Sequence, residues 1–325
     1  MKEADDIRWL LLIHQIPPKP SYLRVKIWRR LQRLGAVAIK NSVYVLPKSD
    51  QSREDFQWVL REIVEGGGDG TLCEARLVDG INDDEVEGLF QVSRTADYDQ
   101  IAEDARRLTK TVPPQGKLGK KNRPQLELDL ARLKRHLDEA VAIDFFGAPG
   151  REAATGLLSG IEARLRDNKA GPTSEGKTNI NDLRGKTWVT RTGIHVDRMA
   201  TAWVVRRFID PEARIKFVPA KGYTPLHDEI RFDMFEAEFT HENDCCSMEV
   251  LMMRTGIRDP GLVRIAEIVH DIDLKDSKFE REETTGIARL IDGIAMAHRD
   301  DDARLARATA IFDDLYENFR RKLRP

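Results

Sequence analysis

The sequence predicts an α+β protein: a ferredoxin-like N-terminal unit with a helical extension, then a mostly helical α+β C-terminal domain. Residues 9–78 alternate between short apolar runs and segments of helical period, joined by short connections. Most later segments have helical period, and the chain of 325 residues is long enough for two domains. These observations favour a small sheet covered by helices, followed by a separate domain.

Turn and capping residues bound each element of the N-terminal unit. Pro17 closes the first strand, Gly35 ends the first helix, and Pro47 ends the second strand. Ser52 is the expected N-cap of the second helix, which ends in the glycines at 66–68. The predicted elements are strand Trp9–Ile16, helix Tyr22–Leu34, strand Val37–Leu46, helix Arg53–Glu65 and strand Thr71–Val78.

Composition places a linker at residues 168–186. The stretch is rich in turn-forming residues and poor in apolar ones. Residues 1–167 then form the ferredoxin-like domain with a helical hairpin, and residues 187–325 form the second domain. The later elements are predicted as helices Leu126–Ile143 and Arg151–Leu165, strand Thr187–Thr192, helix Asp197–Phe208, two strands within Ile215–Phe239, and helices Ser247–Arg254, Pro260–His270, Glu283–Ala297 and Ala303–Leu323.

Charge and cysteine content exclude several classes of protein. The chain has 53 Lys and Arg against 55 Asp and Glu, a net charge of −2, and 41% apolar residues, which excludes collagen-like, disulfide-scaffold and wholly disordered chains. No apolar run reaches the roughly 18–20 residues of a bilayer span. The three cysteines are an odd number, which disfavours structural disulfides. We therefore expect a cytoplasmic protein without a signal peptide or a membrane partner.

The first predicted helix is locally basic. At about 100° per residue, its apolar face holds Leu23, Ile27, Trp28, Leu31 and Leu34. The opposite face holds Lys26, Arg29, Arg30 and Arg33. The segment 20–35 contains no acid, and phosphate is a natural counterion for such a face, so we predict that it binds DNA. The alternative is a solvated face paired with acids of the second helix, and the second basic stretch, 106–123, is interpreted as a solvated loop.

Three groups of metal-ligand residue types lie in the second domain. They centre on His195, on the segment from His241 to Glu249, and on His270. Imidazole, thiolate and carboxylate together suit a transition metal such as Zn or Fe better than Ca or Mg. The candidate metal ligands are His195, His241, Cys246, Glu249, His270 and Asp271. Each group also has a structural alternative: a helix-terminal histidine, small buried cysteines, or a turn anchored by a histidine.

The motifs of the C-terminal part resemble the ChrB chromate-resistance family. They are Trp188–Arg191, His195–Arg198, Trp203, Arg206–Pro211, Phe217–Pro219, Cys246–Glu249 and Val269–Asp276. Gly35, Ser42–Tyr44 and Asp144–Gly147 resemble the N-terminal half of the same family. The resemblance therefore covers nearly the whole chain. It implies a chromate-responsive transcriptional regulator, since members of the family are linked to chromate-resistance operons.

The N-terminal unit is also similar to the ferredoxin-like fold of CRISPR spacer-acquisition nucleases and to a domain of PaaX-type repressors. Those nucleases carry an acidic metal ligand at the end of the first strand, where this chain has His14–Pro17. The sequence has no separate helix-turn-helix signature. DNA binding is therefore expected from the basic helix or the basic loop, and a homodimer is expected because ferredoxin-like units and operators both favour two-fold pairing.

Chromate is a tetrahedral dianion, so its site requires cations and N–H donors. Arg191, Arg198 and the helix start at Asp197 are the predicted anion-binding group. In this hypothesis the second domain senses chromate and the first binds operator DNA. The rival hypothesis is a metal-dependent enzyme, an oxyanion reductase or a hydrolase, with Glu249 or Asp271 as general base beside the metal. The sequence alone leaves the question of an enzyme open.

Overall fold

The computed structural model describes residues 8–19, 21–111, 123–166, 178–219, 222–234 and 236–322. The chain divides into two compact units, which are described separately. The N-terminal unit contains Met1–Tyr98 and Asp138–Pro149, and the C-terminal unit contains Asp99–Leu137 and Gly150–Pro325. The linker predicted at 168–186 stays a prediction, because residues 167–177 lie outside the described ranges, as do residues 112–122 of the basic loop.

The N-terminal unit has the order of elements that defines a ferredoxin-like arrangement. Its elements are β1 (Trp9–Gln15), α1 (Ser21–Arg33), β2 (Val37–Lys40), β3 (Val43–Pro47), α2 (Asp50–Glu65) and β4 (Asp69–Ala75). The sheet has the strand order β2-β3-β1-β4, and every neighbouring pair is antiparallel. Each half contributes a strand, a helix and a strand, so both helices connect strands of this sheet. The predicted α+β class is confirmed.

One predicted strand and one predicted N-cap in this unit are wrong. Val37–Leu46 is not one strand but two, β2 and β3, because the chain reverses at Ser42, whose φ is 63°. Both strands are apolar, so periodicity alone does not reveal the turn between them. The N-cap of α2 is Ser49 rather than Ser52: the Ser49 hydroxyl oxygen accepts a hydrogen bond from the Ser52 amide at 3.0 Å, which starts the helix one turn earlier.

The apolar face of α1 is narrower than predicted. Leu23, Ile27 and Leu31 are buried in the core, but Trp28 is 52% exposed. Trp28 lies about 100° around the helix from Ile27 and therefore falls on the flank of the apolar stripe. The prediction that Trp28 belongs to the buried face is wrong, and the exposed surface of α1 combines this aromatic ring with basic side chains.

Three long helices follow the first sheet, and they include the predicted helical pair. They are α3 (Asp83–Thr111), α4 (Arg123–Ala142) and α5 (Arg151–Arg166). Among the described residues, no helix is both long enough and apolar enough to cross a membrane.

The C-terminal unit contains a small parallel sheet among helices. Its further elements are β5 (Thr187–Arg191), α6 (Val196–Val204), β6 (Arg214–Val218), β7 (Glu229–Arg231), α7 (Ser247–Thr255), α8 (Pro260–Leu274), α9 (Thr284–Ala297) and α10 (Asp301–Lys322). The strand order is β6-β5-β7, with both pairs parallel. Carboxyl ends of parallel strands meet at one edge, and polar sites form there because the connections to the helices leave a crevice.

Helix α8 begins where the sequence predicts. The Asp259 carboxylate accepts hydrogen bonds from the amides of Gly261 and Leu262, both at 2.9 Å, and Pro260 is the first helical residue. Proline lacks the N–H that would have no partner at this position, so it suits a helix start. This start fixes the register that places His270 and Asp273 near the other end of α8.

Gly35 gives a test of packing in the N-terminal unit. Its φ is +72°, and an added Cβ would lie 2.7 Å from the Ile143 Cβ. Gly67 has a similar φ of +79°, but an added Cβ there has no neighbour within 4 Å. We expect Gly67→Ala to cost about 1 kcal/mol of unfolding free energy from backbone strain, and Gly35→Ala about 3 kcal/mol because overpacking adds to the strain. Urea denaturation measures both; equal losses would contradict the close contact.

Candidate functional site

The C-terminal unit buries a group of charged side chains at the carboxyl edge of its parallel sheet. Arg191 is the last residue of β5, and Asp197 and Arg198 lie in the first turn of α6. Asp233 follows β7, and His241 lies in the loop that leads to α7. All five are less than one-tenth exposed. Burial of so many charges requires that each has a partner.

Asp197 holds the start of α7. Its carboxylate accepts hydrogen bonds from the amides of Ser247 at 2.8 Å and Met248 at 3.0 Å, and from the Thr201 hydroxyl at 3.3 Å. Burial, followed by the negative charges of Asp233 and Asp273, raises the pKa of Asp197 to about 7. The Asp197 side chain therefore caps the start of α7.

His241 lies between carboxylates. Its Nε2 is 2.7 Å from Oδ2 of Asp273 and 3.9 Å from Oδ2 of Asp197, and its Nδ1 is 3.2 Å from Oδ1 of Asp233. Burial opposes a charged imidazole, but the carboxylates of Asp233 and Asp273 outweigh it and raise the pKa of His241 well above its ordinary value. The Ser247 hydroxyl is also 3.3 Å from Nδ1. Both ring nitrogens of His241 thus have hydrogen-bond partners.

Two arginines share one carboxylate next to this histidine. Arg191 Nη2 donates to Glu152 Oε2 at 2.8 Å, and Arg198 Nη2 lies 4.0 Å from the same oxygen. Arg198 Nε is also 3.1 Å from Oδ2 of Asp233. Burial raises the pKa of Asp233, but the charges of Arg198 and His241 outweigh it and hold this pKa well below its usual range. Each buried arginine is therefore paired with an acid.

A cavity of about 220 Å³ opens beside Glu152 and His241. Helix α5 and the loop before α7 form its walls, and the lining residues are Arg151, Glu152, Thr155, Gly156, Ser159, Met234, Glu236, Thr240 and His241. The walls carry hydroxyl groups as well as charged groups, so the cavity suits a small polar ligand.

Glycines let the His241 loop lie directly on α5. An added Cβ at Gly156 would come within 2.9 Å of the His241 Cβ, and one at Gly160 within 2.6 Å of Asn243 Oδ1. A larger residue at either position would displace the loop. Glu152, Gly156 and Gly160 are spaced four residues apart and share one face of the helix, so this face of α5 both carries the carboxylate and supports the loop.

A second buried histidine lies nearby on α8. His270 has no exposed surface; its Nδ1 is 2.6 Å from Oε2 of Glu249 and its Nε2 is 3.3 Å from Oδ2 of Asp276. The same Glu249 oxygen accepts the Cys246 amide at 2.9 Å. Glu249 also lines a groove of about 690 Å³ whose other walls include Cys245, Met252, Met253 and Phe279. Burial raises the pKa of the Cys245 thiol to about 12, which keeps the thiol protonated at neutral pH.

The predicted metal ligands separate into groups. The ligand atoms of Asp197, His241 and Asp273 lie within 4.8 Å of one another, as do those of His270, Asp271 and Asp276. Cys246 is fully buried at the N-cap of α7, and burial raises its pKa well above the ordinary value. His195 lies apart from both groups, at 3.1 Å from Oδ1 of Asp292. The Asp271 carboxylate accepts the amides of Phe279 and Glu280 and so anchors the loop after α8.

Four residues of these clusters are absent from the set predicted from sequence. Glu152 and Asp233 stand far from the histidine motifs in the chain, and no local pattern marks them. Asp273 and Asp276 lie within the predicted family motif at 269–276, on and just after the last turn of α8. Helical spacing from His270 provides the signal for Asp273, three residues on, but not for a residue beyond the helix end.

In the N-terminal unit, the predicted DNA-binding cations line one groove. Lys26, Arg29, Arg30 and Arg33 border a groove of about 740 Å³ together with Tyr22 and Glu62. Glu62 forms ion pairs with Lys26 and, at 3.1 Å, with Arg30, and the hydrogen bond from Lys26 lowers the pKa of Glu62. Within the described ranges, Arg29 and Arg33 are exposed and have no acidic partner. The groove therefore keeps an excess of positive charge.

The fold and the buried site define a protein with a ferredoxin-like unit and a helical unit that buries a charged cluster at a parallel sheet edge. The chain belongs to the ChrB family. Residues 24–170 match "Protein ChrB, N-terminal", and residues 188–319 match "ChrB, C-terminal domain". Protein ChrB of Cupriavidus metallidurans is 26% identical over 328 residues, which cover 98% of this chain and 97% of the relative. No solved structure matches the chain. The resemblance predicted from the motifs is confirmed.

The ion pairs of His270 make the unfolding free energy of the protein depend on pH. Burial opposes its charge, but Asp276 and Glu249 outweigh it and raise the pKa from 6.5 to about 9. Because the folded-state pKa is raised, this stabilisation is complete below about pH 6.5 and is lost as the pH rises through about 9. We expect the unfolding free energy of the wild type to fall over this range. His270→Gln should be less stable at pH 6.5 and lose less stability as the pH rises.

Urea denaturation at several pH values across this range measures the effect. His227→Gln is the matched control, since the His227 side chain is fully exposed and its loss should leave the pH profile unchanged. Parallel profiles for the wild type and His270→Gln would contradict the assigned ion pairs.

Proposed function

We propose that the protein is a chromate-responsive transcriptional regulator that binds chromate in its C-terminal unit and DNA through the basic groove of α1. Membership of the ChrB family associates the chain with chromate resistance. One observation carries the finer proposal: Arg191 and Arg198 lie buried at the carboxyl edge of a parallel sheet, next to Glu152, which lines a cavity. Buried cations at such an edge are suited to a small dianion.

The chemistry of the site supports an oxyanion. Arginine presents several N–H donors in a plane, so Arg191 and Arg198 can each bind two oxygens of a tetrahedral anion. The hydroxyls of Ser159 and Thr240 can supply neutral hydrogen bonds from the cavity wall. Arg191 and Arg198 belong to the predicted anion-binding group; Asp197, its third member, is bound to α7 amides and is better suited to a cation.

We further propose a transition metal, Zn or Fe, at Asp197, His241 and Asp273. The donor set fits: two carboxylates face Nε2 of His241, and Asp233 contacts Nδ1 on the other side of the ring. A carboxylate behind a ligating histidine fixes the tautomer and orientation of the ring. A metal bound there would add positive charge beside the arginines and strengthen the attraction for an oxyanion.

The proposed DNA contact uses the groove of α1. Arg29 and Arg33 lie on its outer face, one helical turn apart, where both can reach phosphates of one backbone. Lys26 and Arg30 lie closer to α2, where Glu62 neutralises part of their charge. We therefore expect Arg29 and Arg33 to contribute most of the binding.

A metal-dependent enzyme is the second candidate, and one observation favours it. Glu249 lines the 690 Å³ groove and is held from behind by His270. A carboxylate oriented in this way can act as a general base. Asp271 is less suited to that role, because its oxygens accept two backbone amides. Reduction of chromate by an added electron donor, with the donor oxidised in step, or hydrolysis of an ester, either one lost in Glu249→Gln, would favour the enzyme over the regulator.

Binding to DNA from a chromate-resistance operon tests the regulator. We expect Arg29→Ala with Arg33→Ala to weaken binding and to reduce the slope of log affinity against log salt by about 2, because two phosphate contacts are lost. Arg24→Ala is the matched control, since this exposed arginine lies on the same helix but not in the groove.

Chromate should change the DNA affinity of the wild type at least about tenfold but leave the DNA affinity of Arg191→Ala unaffected. Mobility shift assays measure both; wild-type binding that does not respond to chromate would overturn the regulator.

Elemental analysis tests the metal. We expect the purified wild type to contain close to one Zn or Fe per chain and His241→Ala to lose it, because the imidazole is the only nitrogen ligand of the proposed set. His270→Ala is the comparison, since it removes the other buried histidine and should retain the metal. Metal absent from the wild type, or retained in His241→Ala, would exclude this site.

A further inference from the structure

The buried charge cluster already contains an anion where the proposed chromate site requires one. Oε2 of Glu152 lies 2.8 Å from Nη2 of Arg191 and 4.0 Å from Nη2 of Arg198. Glu152 itself is 7% exposed and belongs to the first turn of α5. A carboxylate in a first helical turn is stabilised by the helix dipole. The Glu152 carboxylate therefore occupies a position that would also attract other anions.

The arginines of the cluster already contact carboxylates. Glu152 contacts Arg191 and Arg198, and Asp233 contacts Arg198. A dianion placed beside the Glu152 carboxylate would bury like charges next to each other, which is unfavourable at low dielectric constant. An oxyanion that binds Nη2 of Arg191 therefore has to displace Glu152.

Glu152 has room to leave. The 220 Å³ cavity is lined by Glu152 itself and by Thr155 and Ser159, which follow on the same helix. A rotation about the side-chain bonds of Glu152 toward the cavity opening exchanges the contact with Arg191 for water and leaves Nη2 of Arg191 available to a ligand. Asp233 cannot make the same exchange so readily, because it is held by Arg198, by His241 and, at 3.0 Å, by the Ser247 hydroxyl.

We infer that Glu152 is an intramolecular competitor of the oxyanion and sets the affinity and charge selectivity of the site. The inference rests on the proposed chromate site. A monoanion such as chloride brings no more charge than the carboxylate it displaces, whereas a tetrahedral dianion brings twice the charge and more acceptor oxygens to the same arginines. Glu152 thus favours the binding of dianions over chloride, and it remains paired with Arg191 when the oxyanion concentration is low.

Chromate binding by Glu152→Gln tests this role. The substitution preserves the size of the side chain but removes the negative charge that Glu152 places against Arg191. We expect chromate to bind at least about tenfold more tightly than to the wild type, because no carboxylate has to be displaced. Sulfate, a second tetrahedral dianion, should gain by a similar factor, and selectivity for dianions over chloride should fall. Equilibrium dialysis of the full-length chain measures each affinity.

Glu162→Gln is the matched control. It is the same substitution on the same helix and also breaks an ion pair, with Lys134 at 2.5 Å, but it lies outside the cluster and should leave chromate affinity unchanged. If Glu152→Gln does not fold, Glu152→Asp replaces it: the shorter carboxylate withdraws from Arg191 and should give an intermediate gain. Circular dichroism monitors folding of every variant.

The outcomes separate the two proposals. Chromate binding by the wild type with no gain in the folded Glu152 variant would make the Glu152 to Arg191 pair purely structural and overturn this inference, while the chromate site stands. Absence of binding in both proteins would overturn the chromate site and with it the inference. Tight binding by the variant and weaker binding by the wild type supports both.

Discussion

The C-terminal unit depends on the buried carboxylate of Asp197. Two amides at the start of α7 have no carbonyl partner within their own helix, and Asp197 supplies the acceptors from the first turn of α6. One side chain therefore fixes the start of one helix relative to another. Ser247 and Glu249 lie at that start, and their contacts with His241 and His270 follow from it.

The charges around Asp197 form a network rather than a set of independent pairs. Arg198 contacts Asp233, Asp233 contacts His241, and His241 contacts Asp273. Removal of any member leaves its neighbour charged and buried without a partner, which costs more than an exposed ion pair contributes. Such a network stabilises the fold only when complete. It therefore holds its members in fixed positions, and this gives a site its geometry before any ligand arrives.

The sequence predicts features that local chemistry decides and misses those that depend on contacts distant in the chain. Asp259 and Pro260 fix a helix start within a few residues, and the structure agrees. By contrast, Glu152 reaches Arg191 across 39 residues, and no periodicity encodes that contact. His195 and His241 stand in equally polar motifs, yet only His241 is enclosed by carboxylates, because burial is a property of the folded chain and not of the motif.

Helix α5 meets the His241 loop through bare backbone at Gly156 and Gly160. Long side chains between two segments can change rotamer and so absorb small displacements. Here such side chains are missing, so the loop can lift from the helix but cannot move closer to it. A shift of α5 toward the loop would therefore displace His241 directly, whereas a shift in the opposite direction would leave a gap between them. A displacement of α5 is thus passed on to His241 only when the helix moves toward the loop.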